Sequence, residues 1–221
     1  TIEFPDNAKV QGQPVPKGTY GLFFVINKNN TGEVILSKDT KSWGSFFYEP
    51  RQDQLRTSIQ LRDIPHTELL TFDFVNLTKN GGDLVLNWEK KQFPVKIEFA
   101  VDDIVMANAA AELKAPIGFT AQGHTSAANY ALTNNVNQAQ AMTWIDQALA
   151  QNKNFNTLRI KSGLLRQSGK TEDADKLMTE AVAIGTEQEL NAYGYQLMGQ
   201  NQNDKAIEIL ELNTQRHPKS A

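Results

Sequence analysis

His66-Thr67-Glu68 places an imidazole and a carboxylate two residues apart. On a strand that spacing sends both side chains to one face, where they could make half of a metal site. No second histidine follows at ligand spacing, and Pro65 immediately before suggests that His66 opens a strand after a turn. The expectation is therefore a turn or strand-edge histidine with no metal, and a metal-dependent hydrolase rests on His66 and Glu68 alone. His124 and His217 lie in the second half of the chain. The chain has no Cys, which excludes thiol catalysis, redox motifs and cysteine-ligated metal centres. No His-Glu-x-x-His motif, Gly-x-Ser-x-Gly elbow or phosphate-binding glycine loop occurs. No catalytic residue and no cofactor are expected.

A second kind of chemistry is binding by aromatic faces. Trp43-Gly44-Ser45-Phe46-Phe47-Tyr48 is flanked by Lys38, Asp39, Lys41 and Arg51. Aromatic rings beside hydrogen-bonding groups suit a flat amphiphilic ligand such as a sugar, so Trp43, Phe46 and Tyr48 are the candidate ligand-binding residues. The plainer expectation is packing, with Phe46 and Tyr48 on one face of a strand, Phe47 on the other and Trp43 covering an edge. Asp73 is expected on a solvated strand face. Arg56 and Arg62 share a face that Asp53 and Asp63 dilute, which is no phosphate track.

These residues depend on two kinds of element. Up to about residue 101 apolar side chains alternate with period two: Leu55, Ile59 and Leu61; Leu70, Phe72 and Phe74; Leu84, Leu86 and Trp88; Val95, Ile97, Phe99 and Val101. Strands built this way bury one face and wet the other, the habit of antiparallel sheets. Tyr20–Ile26 and Val34–Leu36 form a hairpin around Asn29-Asn30-Thr31-Gly32. Asn80-Gly81-Gly82 turns the chain before Leu84. About eight short strands argue for a β-sandwich or jelly-roll-like barrel.

After residue 101 the period becomes helical. Asp102 and Asp103 can cap a first helix that Pro116 stops, and Thr171 reads as a cap without a full capping box. Ala141, Ile145 and Ala148 are spaced like Ala174, Met178 and Ala181, and Ala206 with Leu210 begins a third copy. Asn213 then stands where the second small residue should fall. Ala174 follows Ala141 by 33 residues and Ala206 follows by a further 32, close to the 34-residue tetratricopeptide period. Gly169, Ser162, Gly194 and Pro218 fall at turn, close-approach and end positions of such a repeat. Leu158, Leu164, Leu165, Leu177 and Met178 are expected in the core between stacked helices.

The fold class expected is segregated α+β in two domains. An antiparallel β-sandwich or jelly-roll-like domain occupies 1–101, a linking helix and loop 102–120, and tetratricopeptide-like helices 121–221. With 221 residues, 22 Lys and Arg against 25 Asp and Glu, and 40% hydrophobic residues, the chain can bury a core without staples. Residues 1–101 carry 12 charges of each sign, and the acidic excess lies in the helical half. That balance excludes a strongly basic nucleic-acid binder, and no apolar run is long enough to span a membrane. The sequence opens on Thr1, so any export signal is expected to have been removed or left out.

Several motifs resemble those of the domain of unknown function 2911 family. They are Thr1-Ile2-Glu3-Phe4; Val10-x-Gly12-x-x-Val15-Pro16-x-Gly18-x-Tyr20-x-Leu22-Phe23; Asp39-x-x-x-Trp43-Gly44; Leu70-Thr71-Phe72-Asp73-Phe74; and Leu86-x-Trp88-Glu89-x-x-x-Phe93-Pro94-Val95. The resemblance continues into the helical half through Gly118-Phe119, Asn134-Asn135-Val136-Asn137, Trp144 and Arg216-His217-Pro218. It implies an exported, periplasmic or outer-membrane-associated protein of Bacteroidetes-type bacteria, with an all-β domain and no assigned activity. The family's Trp-Arg-x-Gly-Ala-Asn motif is not among these residues. Taken together, the expectation is a non-enzymatic interaction or scaffold protein whose helical repeats engage another protein. The alternative is a β-sandwich module for a glycan or other small ligand.

Overall fold

The computed structural model describes residues 1–218. Eight strands come first: β1 (Ile2–Phe4), β2 (Ala8–Val10), β3 (Gln13–Val15), β4 (Gly18–Ile26), β5 (Thr31–Ser37), β6 (Asp53–Gln60), β7 (Arg62–Thr78) and β8 (Gly81–Phe99). Seven helices follow: α1 (Val101–Glu112), α2 (Ala121–Asn134), α3 (Gln138–Gln151), α4 (Phe155–Gln167), α5 (Thr171–Ile184), α6 (Glu187–Gly199) and α7 (Asn203–Arg216). The chain divides into two compact units, Thr1–Ile104 and Val105–Ala221.

The β unit is two antiparallel four-stranded sheets, in orders β1-β4-β5-β6 and β3-β2-β8-β7. The jelly-roll-like barrel expected as one option does not close; two open sheets share a core instead. Val34, Leu36, Leu55 and Ile59 of the first sheet meet Leu84, Leu86, Phe93 and Val95 of the second, all buried. Rings reinforce the contact, with Phe24 set edge-on to Phe93 at 5.6 Å and Phe4 packed beside Tyr20 and Phe99. Tyr20 buries its ring and donates its hydroxyl to the Pro16 carbonyl at 2.8 Å, which satisfies the one polar atom that burial would penalise. In the β4–β5 hairpin, Asn29 and Asn30 adopt the left-handed conformation that their short side chains tolerate.

Two features of this unit depart from the expected pattern. The runs at Leu84 and Val95 belong to one long strand, β8, which pairs with β7 over Gly81–Gln92 and with β2 over Ile97–Phe99. Pro94 has no N–H to donate and falls between those two ladders. The strand ends at Phe99, and Val101 begins α1 rather than closing a strand. At the other end of β8, a Cβ on Gly81 would stand 2.0 Å from the Ile97 carbonyl oxygen, so the turn after Asn80 requires glycine.

The second departure concerns β7. Leu70, Phe72 and Phe74 alternate as expected and pair with the buried side of β8, Phe72 opposite Leu86 and Phe74 opposite Leu84. They remain 54, 52 and 57% exposed. β7 is an edge strand, and Phe24 at 6.3 Å from Phe72 is the one ring contact it has from the facing sheet among the described residues.

The helical unit packs its helices as sequential pairs, α2 with α3, α4 with α5 and α6 with α7. Met106 of α1 is buried in the first cluster with Ala128, Trp144 and Ile145. Ala141, Ala174 and Ala206 are each wholly or almost wholly buried, at corresponding places on α3, α5 and α7. Left-handed residues end the first helix of each pair: Asn135 and Asn137 after α2, Gly169 after α4 and Asn201 after α6. Ser162 donates its hydroxyl to the Ala174 carbonyl at 2.7 Å. Gly194 lies so close to α7 that a Cβ there would sit 2.5 Å from Leu210 Cδ2. Leu158, Leu164 and Leu165 are buried, whereas Leu177 and Met178 are partly buried against the same cores. Asn213 is buried too, and its amide donates to the Glu187 carbonyl at 2.9 Å.

The capping differs from the expectation. Thr171 is the first residue of α5, Lys170 holds the cap position, and no side chain bonds there. Full capping boxes start α4, through Asn154 and Thr157, and α6, through Thr186 and Glu189. In both, side chain and backbone exchange hydrogen bonds across the first turn, which satisfies donors that the helix leaves free.

Candidate binding surfaces

The aromatic segment lies in the loop between β5 and β6. Its two ends are joined where the Lys38 amide donates to the Gln52 carbonyl at 2.8 Å. Asp39 shapes the near side: its carboxylate accepts from the Lys41 and Ser42 amides at 3.0 and 3.2 Å and from the Ser42 hydroxyl. The Ser42 hydroxyl bond, then the two amide bonds, hold the Asp39 carboxyl below its ordinary range. Gly44 turns the chain with φ +64°.

Tyr48 anchors the far side. Its hydroxyl donates to the Asp53 carboxylate at 2.8 Å and accepts from Arg56, which also binds Asp53 at 3.1 Å and reaches Glu33. Its ring meets Phe23 at 5.4 Å. Desolvation, together with the neighbouring Asp53 carboxylate, raises the Tyr48 phenol above its usual range. Bonds to Tyr48 and Asp53 push the Arg56 guanidinium still further toward permanent charge.

Between these fixed ends the loop displays Trp43 and Phe46, 78 and 82% exposed, and a largely exposed Phe47. The rings of Trp43 and Phe46 are parallel within 5° with centroids 6.0 Å apart. Of the three candidate ligand residues, Trp43 and Phe46 therefore stand together at the tip and Tyr48 serves the root. The packing expectation holds for the ring of Tyr48 and fails for Trp43, Phe46 and Phe47, because residues 38–49 form no strand and Tyr48 alone among their aromatic residues sets its ring against a sheet residue, Phe23.

His66 and Glu68 do lie on one side of β7, with Nε2 3.6 Å from a Glu68 carboxylate oxygen. Glu89 of β8 approaches the same nitrogen at 3.3 Å, a neighbour that cross-strand pairing supplies and local spacing does not reveal. All three are exposed. Among the described residues no group of three or more His, Cys, Asp or Glu is placed to hold a metal ion. Asp73 is exposed and its carboxylate accepts from the Phe74 amide at 2.7 Å.

The helical unit offers a groove of about 530 Å³ between α5 and α7, floored by α6. Met178, Val182, Tyr193 and Leu212 give it an apolar base. Arg166, Asp175, Lys205, Glu208 and Arg216 give it a rim of both signs. Burial pushes the Tyr193 phenol up, and Arg159 and Arg166 nearby oppose that shift. Met178, expected in the core, packs partly against it and partly lines the groove. The groove arises from how α5 and α7 are spaced over α6, and the repeat pattern alone does not give that spacing. No helix among the described residues is long and apolar enough to cross a membrane.

Residues 1–97 match the family model described as Protein of unknown function (DUF2911), as the strand motifs imply, and the match ends before the helices. No curated protein and no solved structure matches the chain.

Proposed function

We propose that this chain is a non-enzymatic, exported interaction protein whose helices form tetratricopeptide-like pairs and engage another protein. The observation that carries the reading is the recurrence of a buried alanine on the second helix of three successive pairs, Ala141, Ala174 and Ala206. The left-handed turn residues recur in step with them. Arrays of such pairs present extended faces to peptides and partner proteins. The groove over α6 adds a place for a segment that combines apolar side chains with charges of both signs. Val182→Asp with Leu212→Asp is expected to abolish capture of a partner from native cell-envelope extract while leaving the helical circular dichroism intact. Recovery of the same partners by the variant, or of none by the unmodified chain, overturns the reading.

A second reading rests on the loop tip. Two parallel, solvent-facing rings flanked by the Asp39 turn and Lys41 suit the apolar faces of a sugar chain. On this reading Trp43 and Phe46 touch the ligand and Tyr48 holds the loop. Glycan-array binding that disappears in Trp43→Ala and survives in Tyr195→Ala, an exposed aromatic of α6, supports it; an array with no signal removes it.

A further inference from the structure

We propose that two copies of this chain pair through β7, antiparallel and centred on Phe72, to give a two-fold dimer in which the two open sheets become one. The first support is the edge itself. Among the described residues β7 pairs with β8 alone, so its other side offers backbone donors and acceptors to an added strand, and the Phe74 amide would exchange its bond to the Asp73 carboxylate for one across the new pair. Natural edges are usually guarded by lysines, prolines or inward charges. From Leu69 to Thr78 the strand has none of these, and its single charge is Asp73.

The second support is the row of apolar side chains. Leu69, Leu70, Phe72, Phe74 and Leu77 are each at least half exposed. Together they leave roughly 600 Å² uncovered per copy. A strand added at the edge would flank these side chains and cover part of that surface on each copy. A strand able to cover such a row must itself alternate apolar and polar residues, and β7 has that pattern. The same segment therefore supplies both the vacancy and a matching occupant, which is the requirement of an isologous contact.

Charge and side-chain type select the register. The pairing of β7 with β8 runs without a shift from Thr71 to Val75, so this stretch is regular enough to template another strand. Centring on Asp73 would set two carboxylates directly opposite each other, which is destabilising. Centring on Thr71 would put Asp73 against Leu69 and Glu68 against Phe74. Centring on Phe72 puts Phe72 opposite its copy, Leu70 opposite Phe74, Leu69 opposite Val75 and Thr71 opposite Asp73. From Leu69 to Val75 every apolar side chain then meets an apolar one and the one charge meets a hydroxyl, while Leu77 falls opposite Thr67.

Sedimentation equilibrium of the full chain is expected to show a monomer–dimer equilibrium, and Phe72→Lys is expected to weaken it at least tenfold. The chain has no native Cys, so Phe72→Cys gives a clean second readout. Opposed Cβ atoms at a strand pair lie within disulfide reach. Mild oxidation is expected to cross-link Phe72→Cys and leave Thr78→Cys, far from its own copy in this register, unlinked. A chain that stays monomeric at about 100 μM overturns the proposal, including the case where another segment or protein covers the edge. A dimer indifferent to Phe72→Lys, or equal cross-linking at both positions, overturns it as well.

Discussion

Strands β6 and β7 follow one another in the chain and carry the same alternating pattern, yet they treat it in opposite ways. Leu55 and Ile59 of β6 are buried, while Leu70, Phe72 and Phe74 of β7 stand half open to water. Alternation fixes which face of a strand is apolar. Both strands lie at a sheet edge, so coverage by the facing sheet is what separates them: it closes over the apolar face of β6 and leaves that of β7 half open. Apolar surface left in this way is where association is sought.

Core truncation gives the largest effect that this contrast predicts. Leu36→Ala, on the covered strand β5, is expected to lower unfolding free energy by about 2–5 kcal/mol. Phe72→Ala, measured at concentrations where the chain is monomeric, is expected to cost about 1 kcal/mol, because half of the ring never leaves water. Equal costs in chemical denaturation would mean that β7 is covered in solution.

The loop after β5 repeats the contrast on a smaller scale, with a fixed root and a displayed tip. Tyr48→Phe removes the hydroxyl between Asp53 and Arg56 and is expected to cost about 1 kcal/mol. Trp43→Ala should stay within about 0.5 kcal/mol of the unmodified chain. A thermal melt that ranks Trp43 above Tyr48 would show that the tip packs somewhere.

The smallest effect is pH-dependent. The folded-state Asp39 carboxyl titrates below its unfolded value, so its turn is intact above the ordinary carboxylate range and loosens only as pH falls through the lowered value. The Lys41 and Ser42 amide resonances should therefore hold steady through the titration of ordinary carboxylates. Movement at or above that range would contradict the bonding described for the near side of the loop.

The strands and helices were legible because period-two and period-3.6 patterns follow directly from side-chain direction. The buried alanines and Gly169 were legible for a similar reason, since small and left-handed positions admit few residue types. What escaped depended on residues distant in sequence. Glu89 reaches His66 only across a hairpin, and Val101 looked like strand because one apolar residue fits either period. Trp43 and Phe46 read as packing because aromatic side chains usually do pack; the Asp39 turn and the Tyr48 anchor hold them clear of the sheet. Thr171 was a plausible cap by type, but the chain enters α5 one residue earlier, so the side chain has no free amide to meet.

The arrangement of β8 has a mechanical consequence. β7 grips it along one stretch and β2 along another, with Pro94 in between, and β2 and β7 are not neighbours in the sheet. A pull on the outer strand therefore reaches the far side of the sheet by two routes, along the backbone of β8 and through the place where its ends meet, the Phe99 amide donating to the Asn80 carbonyl at 2.7 Å and Gly81 lying against Ile97. Any partner seated at that rim would be coupled to β2 and β3 by both.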